Sequence, residues 1–99
     1  MNEDQIEQQI KDKNLTAPRI TPDQVDNVII GEDYYVFPET TVTIALLKLK
    51  NGFTVTGESA CASPENFNVE LGRKIARANA RDKIWALLGY SLREKLFGA

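Results

Sequence analysis

Three arginines recur at four-residue intervals in the last third of the chain, at Arg73, Arg77 and Arg81. In a helix this spacing places the three guanidinium groups on one face, and Lys74 adds a fourth positive charge beside them. Arginine presents a planar fork of N–H donors that suits bidentate contact with phosphate or carboxylate. Because cations stacked on one face repel each other, we expect an anion to lie against this row.

The anion has three candidate sources: a phosphate-bearing small molecule, nucleic acid, or carboxylates of the same or a neighbouring chain. Residues 1–40 carry nine acidic and three basic side chains, a net charge of −6, whereas residues 67–99 carry three acidic and seven basic ones, a net charge of +4. The two halves could therefore face each other, or the basic half could bind a ligand. Nucleic acid is the least expected of the three sources, because the whole chain is acidic, with a net charge of −2.

Asn79 stands between two alanines in the same predicted helix, where asparagine has poor helix propensity. Its amide either hydrogen-bonds across an interface or to a ligand, or it faces solvent. The candidate ligand- or partner-binding residues are thus Arg73, Lys74, Arg77, Asn79 and Arg81.

The 99 residues include no His and one Cys, Cys61. The lack of His removes Ser-His-Asp and Cys-His nucleophile pairs and the commonest metal ligand. A lone Cys cannot close an intramolecular disulfide or build a thiolate zinc site, and we expect Cys61 to be a buried structural thiol. The sequence therefore predicts no catalytic residue, no metal site and no cofactor.

Residues 1–40 are predicted to form an acidic arm with short helices and a short strand. Asn2 caps a polar helix over residues 3–13, and Thr21-Pro22 begins a second helix that Gly31 ends. An aromatic strand follows at Tyr34–Phe37.

Two β-rich segments, residues 40–50 and 53–60, flank Asn51-Gly52, a strong signal for a two-residue hairpin turn. Such a turn places Lys48 opposite Val55 and Leu47 opposite Thr56, which makes both faces of the hairpin apolar. A sheet of this kind needs two covers. One is the C-terminal helix, and the other is the N-terminal segment or a second subunit, so we expect a homo-oligomer.

The last third of the chain is predicted to be a helix from Ser63-Pro64 to about Leu88, ended or kinked by Gly89, with a short amphipathic turn after Ser91. Its apolar face is expected at Leu71, Ile75, Ala78 and Trp85, widened by Ala76, Ala80, Ile84, Leu87 and Leu88. The predicted fold class is α+β. A small antiparallel sheet built on the hairpin packs against this helix over residues 41–99, in one globular domain with the arm.

Several short motifs between Leu49 and Leu96 together carry a resemblance to a known family. They comprise the run from Leu49 to Cys61, Ser63-Pro64-Glu65-Asn66-Phe67, Gly72 to Arg77, Asn79-Ala80, Lys83-Ile84-Trp85, Gly89-Tyr90 and Leu92 to Leu96. Together these residues resemble a small tailed-phage protein family named after a gene 49 product and a gene 66 product, over about residues 41–96. One departure is the absence of a proline near Ala86, which predicts a helix that runs further.

The resemblance implies a phage protein that works in the host cytoplasm, and it brings no established reaction or cofactor. We therefore expect a non-enzymatic accessory protein that binds a host or anti-phage-defence component, most concretely by sequestering a nucleotide immune signal. Alternatives are a direct protein inhibitor of a host enzyme and a weak nucleic-acid-binding module. The expected partners are a second copy and a host protein or phosphate-bearing small molecule. No membrane partner is expected, since the chain has no apolar run of spanning length.

Overall fold

The computed structural model describes residues 2–98, which form three helices, three strands and one 3₁₀ turn. In chain order these are α1 (Glu3–Asp12), α2 (Pro22–Asn27), β1 (Ile29–Val36), β2 (Val42–Leu49), β3 (Thr54–Ala60), the 3₁₀ turn (Pro64–Asn66) and α3 (Val69–Gly98). The strands form one antiparallel sheet in the order β1-β2-β3. The predicted α+β class, with a small sheet against a long C-terminal helix, is confirmed.

The hydrophobic core lies between the sheet and α3. Alternate residues of β2 point toward α3, namely Thr43, Ala45, Leu47 and Leu49, and each is buried. On α3, the buried positions are Ala76, Ala80 and Ile84, spaced at four-residue intervals along one face. Small side chains on this face allow α3 to approach the sheet closely.

The closest approach is at Gly57 in β3. A Cβ atom built on Gly57 would overlap backbone atoms of Ala76 and Ala80. The glycine is therefore required by packing, because no side chain fits between β3 and the helix at this point.

The predicted hairpin register is wrong by one residue. Lys48 lies opposite Thr54 and Leu47 opposite Val55. The turn uses three residues rather than two. Within this turn, only Gly52 adopts a positive φ, of 92°, and its N–H donates to the carbonyl of Leu49 at 2.9 Å. The corrected register puts Val55 on the buried face with Leu47.

The helix α3 is longer, and its buried face differs from the predicted one. It begins after Asn68, whose side chain accepts the N–H of Leu71 at 2.9 Å, and continues through Gly89 to Gly98. Ser63-Pro64 begins only the 3₁₀ turn. Leu71 and Ile75 are 54% and 45% exposed, because the alanines of the neighbouring face allow a closer approach to the sheet. The extension suggested by the missing proline is confirmed, whereas a helix end at Gly89, one of the two predicted alternatives, is wrong.

The N-terminal elements pack on the same side of the sheet as α3. Both helices begin with a capping box, at Asn2 and at Thr21 as predicted. The prediction that α2 continues to Gly31 is wrong, because Ile29 already pairs with Leu49 at the start of β1. Within residues 2–98, no helix has the length and apolar character needed to cross a membrane.

Candidate functional site

Arg81 is the most enclosed member of the arginine row, with 15% of its side chain exposed. Its Nη1 atom donates to Glu3 Oε2 at 2.6 Å, and its Nε atom donates to Asp26 Oδ1 at 2.7 Å. These contacts join α3 to α1 and to α2. The carboxylates hold the pKa of Arg81 above its usual value, and the hydrogen bond from Arg81 lowers the pKa of Asp26.

Arg77 lies one turn earlier and has one carboxylate partner. Its Nε atom donates to Glu32 Oε2 at 2.7 Å, and the two side chains are 36% and 45% exposed. Glu32 also accepts the hydroxyl of Tyr34 at 2.8 Å. These bonds, from Tyr34 first and Arg77 second, lower the pKa of Glu32.

Arg73 lies at the open end of the row. Its guanidinium carbon is 5.4 Å from the centroid of the Tyr34 ring, which is a cation–π geometry. Among residues 2–98, neither Arg73 nor its neighbour Lys74 has a carboxylate within ion-pair distance. The number of carboxylates that neutralise each arginine therefore falls toward the N-terminal end of α3. Arg81 has two, Arg77 has one, and Arg73 has none among residues 2–98.

Tyr34 links the open end of the row to Glu32. Burial first, and its hydrogen bond to Glu32 second, raise the pKa of Tyr34. The phenol is therefore neutral near pH 7, with its ring beneath Arg73 and its hydroxyl engaged by Glu32. The ring thus lies between the guanidinium of Arg73 and the hydrophobic core.

Asn79 does not join the arginines. Its Nδ2 atom donates to the backbone carbonyl of Glu58 at 2.8 Å, so the amide bonds across the helix–sheet interface, one of the predicted alternatives. It also lines a shallow cavity of about 310 Å³ between β3 and the start of α3, together with Cys61. Cys61 is half-buried rather than buried, and its thiol lies 3.3 Å from the carbonyl of Ser63.

Residues 2–98 contain no group of three or more His, Cys, Asp or Glu side chains placed to hold a metal ion. Thr43 is fully buried, and its hydroxyl oxygen has no hydrogen-bond partner within that range. It lies between the sheet and α3, where a Cβ atom on Gly72 would come within 2.9 Å of it.

The sequence identified the arginines but not the side chains that neutralise them. Glu3, Asp26 and Glu32 belong to three different elements, up to 78 residues away from their partners. The only sequence signal for them was the separation of charge between the two halves of the chain. Tyr34 is partly buried against the core, and its contacts with Arg73 and Glu32 likewise depend on how β1 packs beside α3.

The fold and the row define a small α+β protein with a charged helix face, partly neutralised by its own N-terminal elements. Residues 20–96 match the Phage protein (N4 Gp49/phage Sf6 gene 66) family. The chain belongs to this family, and the match begins earlier than the predicted residue 41, so it includes α2 and β1. No curated protein and no solved structure matches the chain.

Proposed function

We propose that this phage accessory protein acts by binding rather than by catalysis, and that it sequesters a phosphate-bearing ligand of the nucleotide class. The binding surface is the open end of the row, formed by Arg73, Lys74 and Arg77. The observation that carries the proposal is the guanidinium of Arg73. It is positioned over Tyr34 with no carboxylate partner in the described chain.

The chemistry of this surface suits a nucleotide. A guanidinium donates two parallel N–H bonds to a phosphate, and Lys74 adds a point charge beside it. Arg77 is partly exposed and has one exposed carboxylate partner, which a phosphate could displace.

Arg81 has a different role in this proposal. Its side chain is mostly buried and bonded to Glu3 and Asp26, so it fastens the N-terminal helices to α3. Loss of Arg81 would leave two carboxylates without a partner. It is therefore a structural residue and a poor test of ligand binding.

The test is a thermal-shift measurement across a nucleotide panel that includes ADP-ribose and cyclic dinucleotides. A bound nucleotide raises the melting temperature of the wild type. Arg73→Ala and Arg77→Ala should each abolish the rise. Arg93→Ala is the matched control, because it removes one arginine from the same helix outside the row and should keep the rise. The proposal fails if no nucleotide shifts the melting temperature.

The alternative of a host-enzyme inhibitor uses the same cations against an acidic protein surface. It is favoured if no nucleotide binds but one stoichiometric host protein is captured from infected-cell lysate and lost in Arg73→Ala. A nucleic-acid function requires binding that weakens steeply as salt is added. Binding that is absent or independent of salt excludes it.

A further inference from the structure

One face of the sheet has no cover among residues 2–98. The core lies on the face toward α3, and both N-terminal helices lie on that side as well. Arg81 of α3 bonds to α1 and α2, and Trp85 of α3 lines a cavity with α1. The opposite face, which we call the outer face, is therefore open to solvent.

The outer face is apolar at its centre. The central strand presents Val42, Ile44 and Leu46 there, each only partly buried. Tyr35 lies opposite Ile44 on β1 and stacks edge-on with Phe37, with ring centroids 4.8 Å apart. Tyr35 and Phe37 are 55% and 43% exposed. In an antiparallel sheet with one face open to solvent, the residues on the open face are normally polar. The centre of this face is apolar instead.

Charged and polar groups surround this apolar centre. Lys48 and Asp33 form an ion pair of 2.8 Å near the hairpin end, and Glu58 lies opposite Ile44 on β3. Thr54 and Thr56 continue the polar edge along β3. An apolar centre with a polar rim is the usual anatomy of a protein interface.

We propose that the outer face binds the outer face of a second copy of this chain, which gives a two-fold symmetric dimer. A face-to-face contact between two identical sheets is isologous, so each apolar centre meets its own equivalent. The Asp33–Lys48 pair is neutral overall and adds no net repulsion.

The surface area of the chain supports a second copy as the occupant. The accessible surface is 7286 Å², about 1,600 Å² more than a compact monomer of this mass exposes. A stable dimer interface buries about 800 Å² on each partner. The excess is counted over the whole chain, including the end of α3 beyond the sheet, and it is larger than the area that one partner needs. Because the arginine row lies on the other side of the sheet, dimerisation leaves both rows accessible, and the proposal does not depend on what they bind.

The experiment is sedimentation equilibrium of the full-length chain with three variants. The wild type should have twice the mass of one chain, and Ile44→Lys should have the mass of one chain. Lysine at position 44 would lie opposite Glu58, so the monomer can accommodate the new charge. Circular dichroism checks that the fold is kept. Phe97→Lys is the matched control, since it puts the same charge on an exposed apolar residue of α3, and it should remain dimeric.

The third variant, Ile44→Thr, keeps a β-branched side chain. It tests the proposal if Ile44→Lys does not fold. It should weaken association at least tenfold. The proposal is overturned by a monomeric wild type, by a folded Ile44 variant that associates as the wild type does, or by dissociation in Phe97→Lys alone. If the wild type forms an assembly larger than a dimer, the proposal is supported only when Ile44→Lys halves the mass of that assembly. Any other effect of Ile44→Lys on such an assembly contradicts the proposal.

Discussion

At the scale of single residues, the two glycines Gly57 and Gly89 have opposite surroundings. A Cβ atom on Gly57 would overlap the backbone of α3, whereas one on Gly89 meets nothing within 4 Å in the described structure. Both residues lie inside regular elements. The same substitution should therefore have opposite effects on stability at the two positions.

We expect Gly57→Ala to lower the free energy of unfolding by about 1–3 kcal/mol, because β3 or α3 must shift to make room. Gly89→Ala should raise it by up to about 1 kcal/mol, since alanine is the better residue in the middle of a helix. Urea denaturation of both variants measures the difference. Equal changes in the two variants would contradict the close approach of α3 to β3.

Residue types alone could not distinguish these glycines. Glycine inside a helix is a reasonable signal for an end, and that signal led to the wrong prediction at Gly89. The contact of Gly57 with α3 depends on the corrected hairpin register, which the three-residue turn at Gly52 decides. The helices and strands and their order could therefore be predicted from local sequence. The hairpin register and the buried face of α3 could not, because they depend on tertiary packing.

At the scale of elements, ion pairs fasten the N-terminal helices to α3. Asp26 of α2 and Glu3 of α1 share Arg81 of α3, and Glu7 ties α1 to Arg19 in the segment before α2 at 2.7 Å. As with the fold, the sequence predicted the local part of the candidate site but not its tertiary contacts. The arginine row follows from helical spacing, but which carboxylates neutralise it depends on where α1 and α2 dock.

The docking of α2 should weaken in acid. The hydrogen bond from Arg81 lowers the pKa of Asp26 in the folded protein relative to its unfolded value. A carboxyl group with a depressed folded pKa stabilises the fold above its unfolded pKa, and this contribution is lost as pH falls through the folded pKa. The stability of the wild type should therefore fall below about pH 4, in the ordinary aspartate range.

Asp26→Asn should cost about 1 kcal/mol or less at pH 7, as for other exposed ion pairs. The difference from wild type should diminish as the pH is lowered below about 4. Unfolding curves from pH 7 to pH 2.5 measure it. The control is Asp23→Asn in the same helix, which removes a carboxylate that has no ion pair among residues 2–98. A difference that is constant across this range would show that Asp26 is not held by Arg81.

At the scale of the whole molecule, the chain is elongated because α3 is longer than the sheet. A helix of 30 residues is about 45 Å long, whereas strands of seven or eight residues span about 25 Å. The longest dimension is 51 Å and the shortest is 18 Å. The end of α3 therefore extends beyond the sheet, with Tyr90 and Phe97 71% and 79% exposed.

This shape predicts the small-angle X-ray scattering of a monomeric sample such as Ile44→Lys. The radius of gyration of the Cα atoms is 16.5 Å, whereas a compact chain of 99 residues has about 13 Å. If α3 is continuous through Gly89, the measured radius should be close to the larger value. Addition of Gly89→Ala should leave it unchanged, because alanine only strengthens a helix that is already continuous there. A radius near 13 Å that increases with Gly89→Ala would show instead that α3 bends at Gly89 and folds back on the sheet.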